Sequence, residues 1–88
     1  MFELTGQTAI VTGAATGIGE AIARRLARAG ATIAVADLNA DGAREVAASI
    51  GGESFGLGID ISRADSVAQA VAAVLDWRGQ IDVLARED

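Results

Sequence analysis

Four short apolar runs alternate along the chain with three longer segments in which apolar residues recur at helical spacing. The runs fall at Thr8–Val11, Thr32–Ala36, Phe55–Ile59 and Ile81–Leu84. Apolar and β-branched residues dominate them, as expected for strands buried on both faces of a parallel sheet. In the third run Gly56 and Gly58 alternate with Phe55, Leu57 and Ile59. One face therefore lacks side chains, which suits a sheet edge or a close helix contact.

The first helical segment places Ile18, Ile22, Leu26 and Ala29 on one stripe, with Arg24, Arg25 and Arg28 mostly off it, and Gly30 ends it. The second carries Ala43, Val46, Ala47 and Ile50; Asn39 or Asp41 caps its start and Gly51-Gly52 stops it. The third is expected to start at Ser62, with Asp65 completing a variant capping box. Val67, Val71, Val74 and Leu75 form its stripe, and Gly79 ends it. Strand and helix thus alternate as three βαβ units. Right-handed crossovers predict an α/β, three-layer, doubly wound parallel sheet of about four strands in the order 3-2-1-4, with three helices. No linker divides residues 1–88, so they are read as one half-domain.

Composition narrows the chemistry. The hydrophobic fraction is 51%, but much of it is alanine, which buries little area per residue, so the expected core is marginal. Cysteine and histidine are absent. There is no thiol nucleophile, disulfide framework or imidazole metal site, and no metal ligand is assigned. Lysine and tyrosine are absent too, and all seven basic residues are arginine, a poor general base. With a net charge of −5 and no basic run, nothing draws the chain to nucleic acid or an anionic membrane. No apolar stretch reaches membrane-spanning length and no signal peptide opens the chain, so a cytoplasmic location is the default.

The glycines gain meaning from their position. Gly13 follows Ala9-Ile10-Val11-Thr12, where the chain must turn sharply at a strand's carboxyl end. Gly17 leaves room for a pyrophosphate, and Gly19 lets the following helix lie close to the strand. The amino terminus of that helix presents unpaired N–H groups and a positive dipole end. A tight turn without a ligand is the plainer alternative. Asp37 lies 18 residues after Gly19, about the distance at which a carboxylate accepts hydrogen bonds from the adenosine ribose hydroxyls. It would also repel a 2′-phosphate. Ala36, Leu38 and Thr16 supply no compensating positive charge, which favours NAD over NADP. Asp37 as a cap preceding the second helix stays open beside that role. Asp60, after the third run, either accepts from an adenine amino group or caps the turn before Ser62.

These residues resemble the short-chain dehydrogenase/reductase family, NAD(P)-dependent oxidoreductases with a Rossmann fold. Leu4 to Gly13 is similar to the family's approach to its first strand, and Thr12 to Gly19 fits its TGxxxGIG motif. Asp37 matches the acidic residue of NAD-preferring members, and Asp60-Ile61-Ser62 the adenine-contacting turn. Gly79 to Leu84 looks like the approach to the fourth strand. The resemblance implies cofactor contacts at Gly13, Thr16, Gly17, Ile18, Gly19, Asp37, Leu38, Asp60 and Ile61. The family continues from its fourth strand into Asn-Asn-Ala-Gly, whereas this chain reads Ala85-Arg86-Glu87-Asp88. The family's catalytic Asn, Ser and Tyr-x-x-x-Lys find no counterpart, so no catalytic residue is assigned. A truncated or frameshifted gene, or a fragment, is the expectation.

Stopping there predicts an unprotected fourth strand, apolar at Ile81, Val83 and Leu84, with Arg86-Glu87-Asp88 partly blocking it. Marginal stability and self-association are expected. The leading functional expectation is the NAD-binding portion of a dehydrogenase-like oxidoreductase, inactive alone. The alternatives are an interaction module, one chain of a split enzyme that completes its sheet with a partner, or a nucleotide-independent scaffold.

Overall fold

The computed structural model describes residues 3–86. The chain order is β1 (Thr8–Thr12), α1 (Gly17–Arg28), β2 (Thr32–Asp37), α2 (Ala40–Ile50), β3 (Phe55–Gly58), α3 (Ala64–Arg78) and β4 (Val83–Arg86). The strands form one parallel sheet in the order β3-β2-β1-β4. The expected doubly wound topology is therefore present. In β1, which lies between two neighbours, every residue is buried. Its alternate residues feed two separate cores. Ala9 and Val11 pack with the α1 and α2 side, where Ile33, Val35 and Ala47 also lie. Ile10 faces Ala34, Ala36, Ala70 and Val74 on the α3 side. Two helices on one face and one on the other make three layers.

The bare face of β3 is explained by α2. A Cβ on Gly56 would stand 2.5 Å from the Ala43 carbonyl carbon and 2.5 Å from the Arg44 Cα. Helix backbone occupies the space a side chain would need, and β3 is also a sheet edge. Phe55, on the other face, meets Trp77 edge-on with ring centroids 4.2 Å apart.

Several boundaries and faces differ from expectation. The fourth strand begins at Val83, not Ile81. Asp82 closes the chain onto β1 before the regular ladder starts: its N–H donates to the Thr8 carbonyl at 2.8 Å, and its carboxylate accepts the Thr8 N–H at 2.8 Å. The strand then runs through Arg86, which pairs in register with Thr12. Arg86 is thus a strand residue, and the rest of the expected blocking tail, Glu87 and Asp88, lies outside the described residues. The third strand stops at Gly58, and the Ile59 N–H makes a last bond to the Asp37 carbonyl of β2 at 2.9 Å as the chain leaves the sheet.

Helix α1 buries Gly19 and Ala23 rather than the stripe of larger residues. Ile18 is 66% exposed. The smallest side chains face the strand because the backbones approach closely there, and Ile22 and Leu26 pack at the margin. Of the two candidate caps of α2, Asn39 accepts the Gly42 N–H at 3.0 Å, while Asp41 pairs with Arg44. The capping box at Ser62 is not formed. Arg63 is the N-cap of α3, without a side-chain cap bond, and Asp65 pairs with Arg63 at 2.9 Å. Helix α3 buries Ala70 and Val74, leaving Leu75 44% exposed. Among the described residues no helix is long and apolar enough to cross a membrane.

Candidate functional site

The carboxyl ends of β1, β2 and β3 converge on one cleft of about 170 Å³, lined by Gly13, Asp37, Leu38, Ile59, Asp60 and Ile61. Five of these six are residues the sequence singles out. The sixth, Ile59, is 7% exposed and lies among the α3-side core residues. Its apolar character had marked it only as a strand residue. Its place directly before Asp60 was the available signal.

The glycine turn stands between β1 and α1. Gly13 and Gly17 both adopt left-handed backbone, with φ of +68° and +63°. A Cβ on Gly19 would overlap the Gly13 carbonyl oxygen and lie 2.6 Å from its carbon. Only glycine lets α1 begin this close to the turn. Thr16 is the N-cap, with extended backbone and no side-chain cap bond. The N–H groups of the first helical turn therefore keep their usual lack of an intrahelical acceptor. Apart from its neighbours and the backbone of its own helix, no heavy atom of the described residues lies within 4 Å of where a Gly17 Cβ would stand, so the approach to the turn is open.

Asp37 links this turn to the end of β2. Its Oδ2 accepts the Ala15 N–H at 2.9 Å and its Oδ1 accepts the Asn39 N–H at 2.9 Å. Asn39, not Asp37, caps α2. Asp60 fastens its own turn: Oδ1 accepts the Ser62 N–H at 3.0 Å and the Ser62 hydroxyl at 2.6 Å. The Asp60 N–H in turn donates to the Ser66 hydroxyl at 2.9 Å. The hydrogen bonds from Ser62, with a smaller contribution from Arg63, hold the Asp60 carboxyl below its usual value. The turn-capping alternative for Asp60 is thus realised, with Oδ2 directed to neither Ser62 bond.

Thr16, Gly17, Ile18 and Gly19 do not line the cleft; they form the turn and helix start next to it. The Ile18 side chain lies apart, with Ala21, Ile22, Arg25 and Leu26 around a shallow depression on the outer face of α1. Only its backbone belongs to the turn. Beside the cleft, a groove of about 140 Å³ runs between β4 and α3, lined by Thr12, Ile61, Val67 and Leu84 among others. Thr12 is 3% exposed, and its hydroxyl has no hydrogen-bond partner among the described residues. Among the described residues, no group of acidic residues could hold a metal ion.

A parallel sheet with helices on both faces, a glycine turn opening its first helix and a cleft at the strand carboxyl ends define a Rossmann-like protein. The description short chain dehydrogenase matches residues 7–86, and the chain belongs to that family. It is 43% identical over 81 residues to a sorbitol dehydrogenase of Cereibacter sphaeroides, covering 92% of this chain and 32% of that protein. It is 49% identical over 86 residues to a D-threitol dehydrogenase of Mycolicibacterium smegmatis, covering 94% and 33%. A crystal structure of hydroxysteroid dehydrogenase from Escherichia coli superposes with a TM-score of 0.89 at 38% identity, over 93% of this chain and 35% of that one. The chain spans about a third of the length of the curated relatives it matches. Nicotinamide dinucleotides are the family's cofactor class.

Proposed function

We propose that this chain is the cofactor-holding portion of a short-chain dehydrogenase and takes NAD in preference to NADP. The observation that carries this is the place of Asp37: a carboxylate on the cleft wall, with no arginine among the lining residues. Each carboxylate oxygen accepts one backbone N–H and retains a lone pair for a ribose hydroxyl. A 2′-phosphate at the same point would meet a like charge and no counter-charge. The first-turn N–H groups of α1 receive the pyrophosphate over Gly17, where the approach is open. Leu38 and Ile61, 78% and 49% exposed, would offer apolar surface to an adenine, and Asp60 on the same cleft wall would offer an acceptor to its amino group. The bound dinucleotide supplies the oxidation–reduction chemistry. The part played by these 88 residues is to bind and orient it.

Calorimetric titration of the purified chain with NAD tests this, with Gly17→Val as control. Binding by the native chain and its loss in the variant are expected, because a branched side chain fills the open approach and strains a left-handed backbone. ADP-ribose should bind about as well as NAD, since the residues assigned here meet adenosine and pyrophosphate. Unchanged binding by Gly17→Val, or NAD bound far more tightly than ADP-ribose, would contradict the assignment.

A second reading rests on β4. Among the described residues this strand is a sheet edge with Leu84 60% exposed, flanked by the groove that holds the Thr12 hydroxyl, unpartnered among the same residues. An edge strand with apolar flanks is a template for strand addition. The occupant proposed is a chain carrying the remaining part of the family fold, because the matched relatives extend about three times as far. Co-expression with that portion of a relative should yield a stable one-to-one complex. Self-association alone, or a lone monomer, would count against it.

A further inference from the structure

We infer that Asp37 has a second task beside meeting the ribose: it braces the glycine turn in the shape that receives the pyrophosphate. The inference rests on the NAD reading above. Two consecutive amides of the turn are stitched to the end of β2. The Ala14 N–H donates to the Ala36 carbonyl at 3.1 Å, and the Ala15 N–H donates to the Asp37 carboxylate at 2.9 Å. The second bond alone depends on a side chain. The other carboxylate oxygen takes the Asn39 N–H, and Asn39 caps α2. One carboxylate thus spans the β1–α1 and β2–α2 connections. Ala15 is held from the α2 side as well, since a Cβ on Gly42 would lie 3.2 Å from the Ala15 Cβ.

The brace has a physical reason. Gly13 and Gly17 both sit in left-handed backbone within five residues, so the turn is among the most entropically costly segments to order. Ala15 is 8% exposed, so its N–H has little access to water if Asp37 is removed. An unpaired buried donor is costly, and the turn relieves it by opening. The adenosine and phosphate halves of the site are consequently coupled through one side chain rather than independent.

Inorganic pyrophosphate is the discriminating probe, because it has no ribose to meet Asp37. In calorimetric titrations, Asp37→Ala should weaken pyrophosphate binding about tenfold, the effect of one uncompensated buried amide. Asp37→Asn keeps an acceptor oxygen and should stay within about threefold of the native chain. Amide exchange followed by NMR reads the brace without any ligand: the Ala15 N–H should be protected in the native chain and in Asp37→Asn, and fast in Asp37→Ala. Native pyrophosphate affinity together with slow Ala15 exchange in Asp37→Ala overturns the inference. If the native chain binds neither ADP-ribose nor pyrophosphate while Ala15 exchange still follows residue 37, the brace stands and the NAD reading falls.

Discussion

The carbonyl oxygen of Gly13 occupies the place where a side chain on Gly19 would begin. A turn and the helix that follows it are thereby pressed together, which sets how near the first N–H groups of α1 lie to the end of β1. Because backbone stands on both sides, relief requires moving the helix. Gly19→Ala should destabilise the fold by about 1–3 kcal/mol, the range for overpacking a packed site. Chemical denaturation checks this, and a change below about 0.5 kcal/mol, typical of surface substitutions, would contradict the geometry.

Asp82 accepts the Thr8 N–H where β4 joins the sheet. Asp82→Ala removes the acceptor and should cost about 1–3 kcal/mol, with faster Thr8 amide exchange. Asp82→Asn retains an acceptor oxygen and should recover most of the loss. Equal losses in both variants would show that charge, not the hydrogen bond, matters at this position.

Asn39 and Asp41 compete on sequence for the cap of α2, and the structure gives the role to Asn39. Asn39→Ala should cost about 1 kcal/mol. Asp41→Ala should cost no more than about 0.5 kcal/mol, because its exposed pair with Arg44 is screened by water. Thermal unfolding of the two variants separates the positions.

The Asp60 carboxyl titrates below its usual value of 3.8, chiefly through Ser62. Its folded value is depressed, so its contribution to stability is present above 3.8 and is lost as pH falls through the lower folded value. NMR titration of the Asp60 carboxyl should show this, and Ser62→Ala should raise it more than Arg63→Gln does. A larger effect from Arg63→Gln would reverse the order of causes.

Much of this architecture was legible in the residues. The alternation of apolar runs and helical stripes carries the strand order, because parallel strands with right-handed crossovers leave few arrangements. Five of the six cleft residues were legible for a similar reason, since they stand at strand carboxyl ends. What stayed hidden depends on partners distant in the chain. Ile81 looks like a strand residue, but the Asp82 clasp on Thr8 delays the ladder. The stripe on α1 favours Ile18, whereas a close backbone approach selects Gly19 and Ala23. Ser62 and Asp65 have capping-box spacing, yet Ser62 bonds backward to Asp60 and Asp65 turns to Arg63. The bond from Ala15 to Asp37 joins the glycine turn to the end of β2, 22 positions apart, and no local pattern announces it.

The most direct test of the cofactor assignment is a paired titration of the native chain and Asp37→Asn with NAD and NADP. The native chain should bind NAD about tenfold more tightly than NADP, roughly 1.4 kcal/mol, and Asp37→Asn should narrow that gap. NADP bound as tightly as NAD by the native chain, or a preference unchanged in Asp37→Asn, would contradict the role given to Asp37.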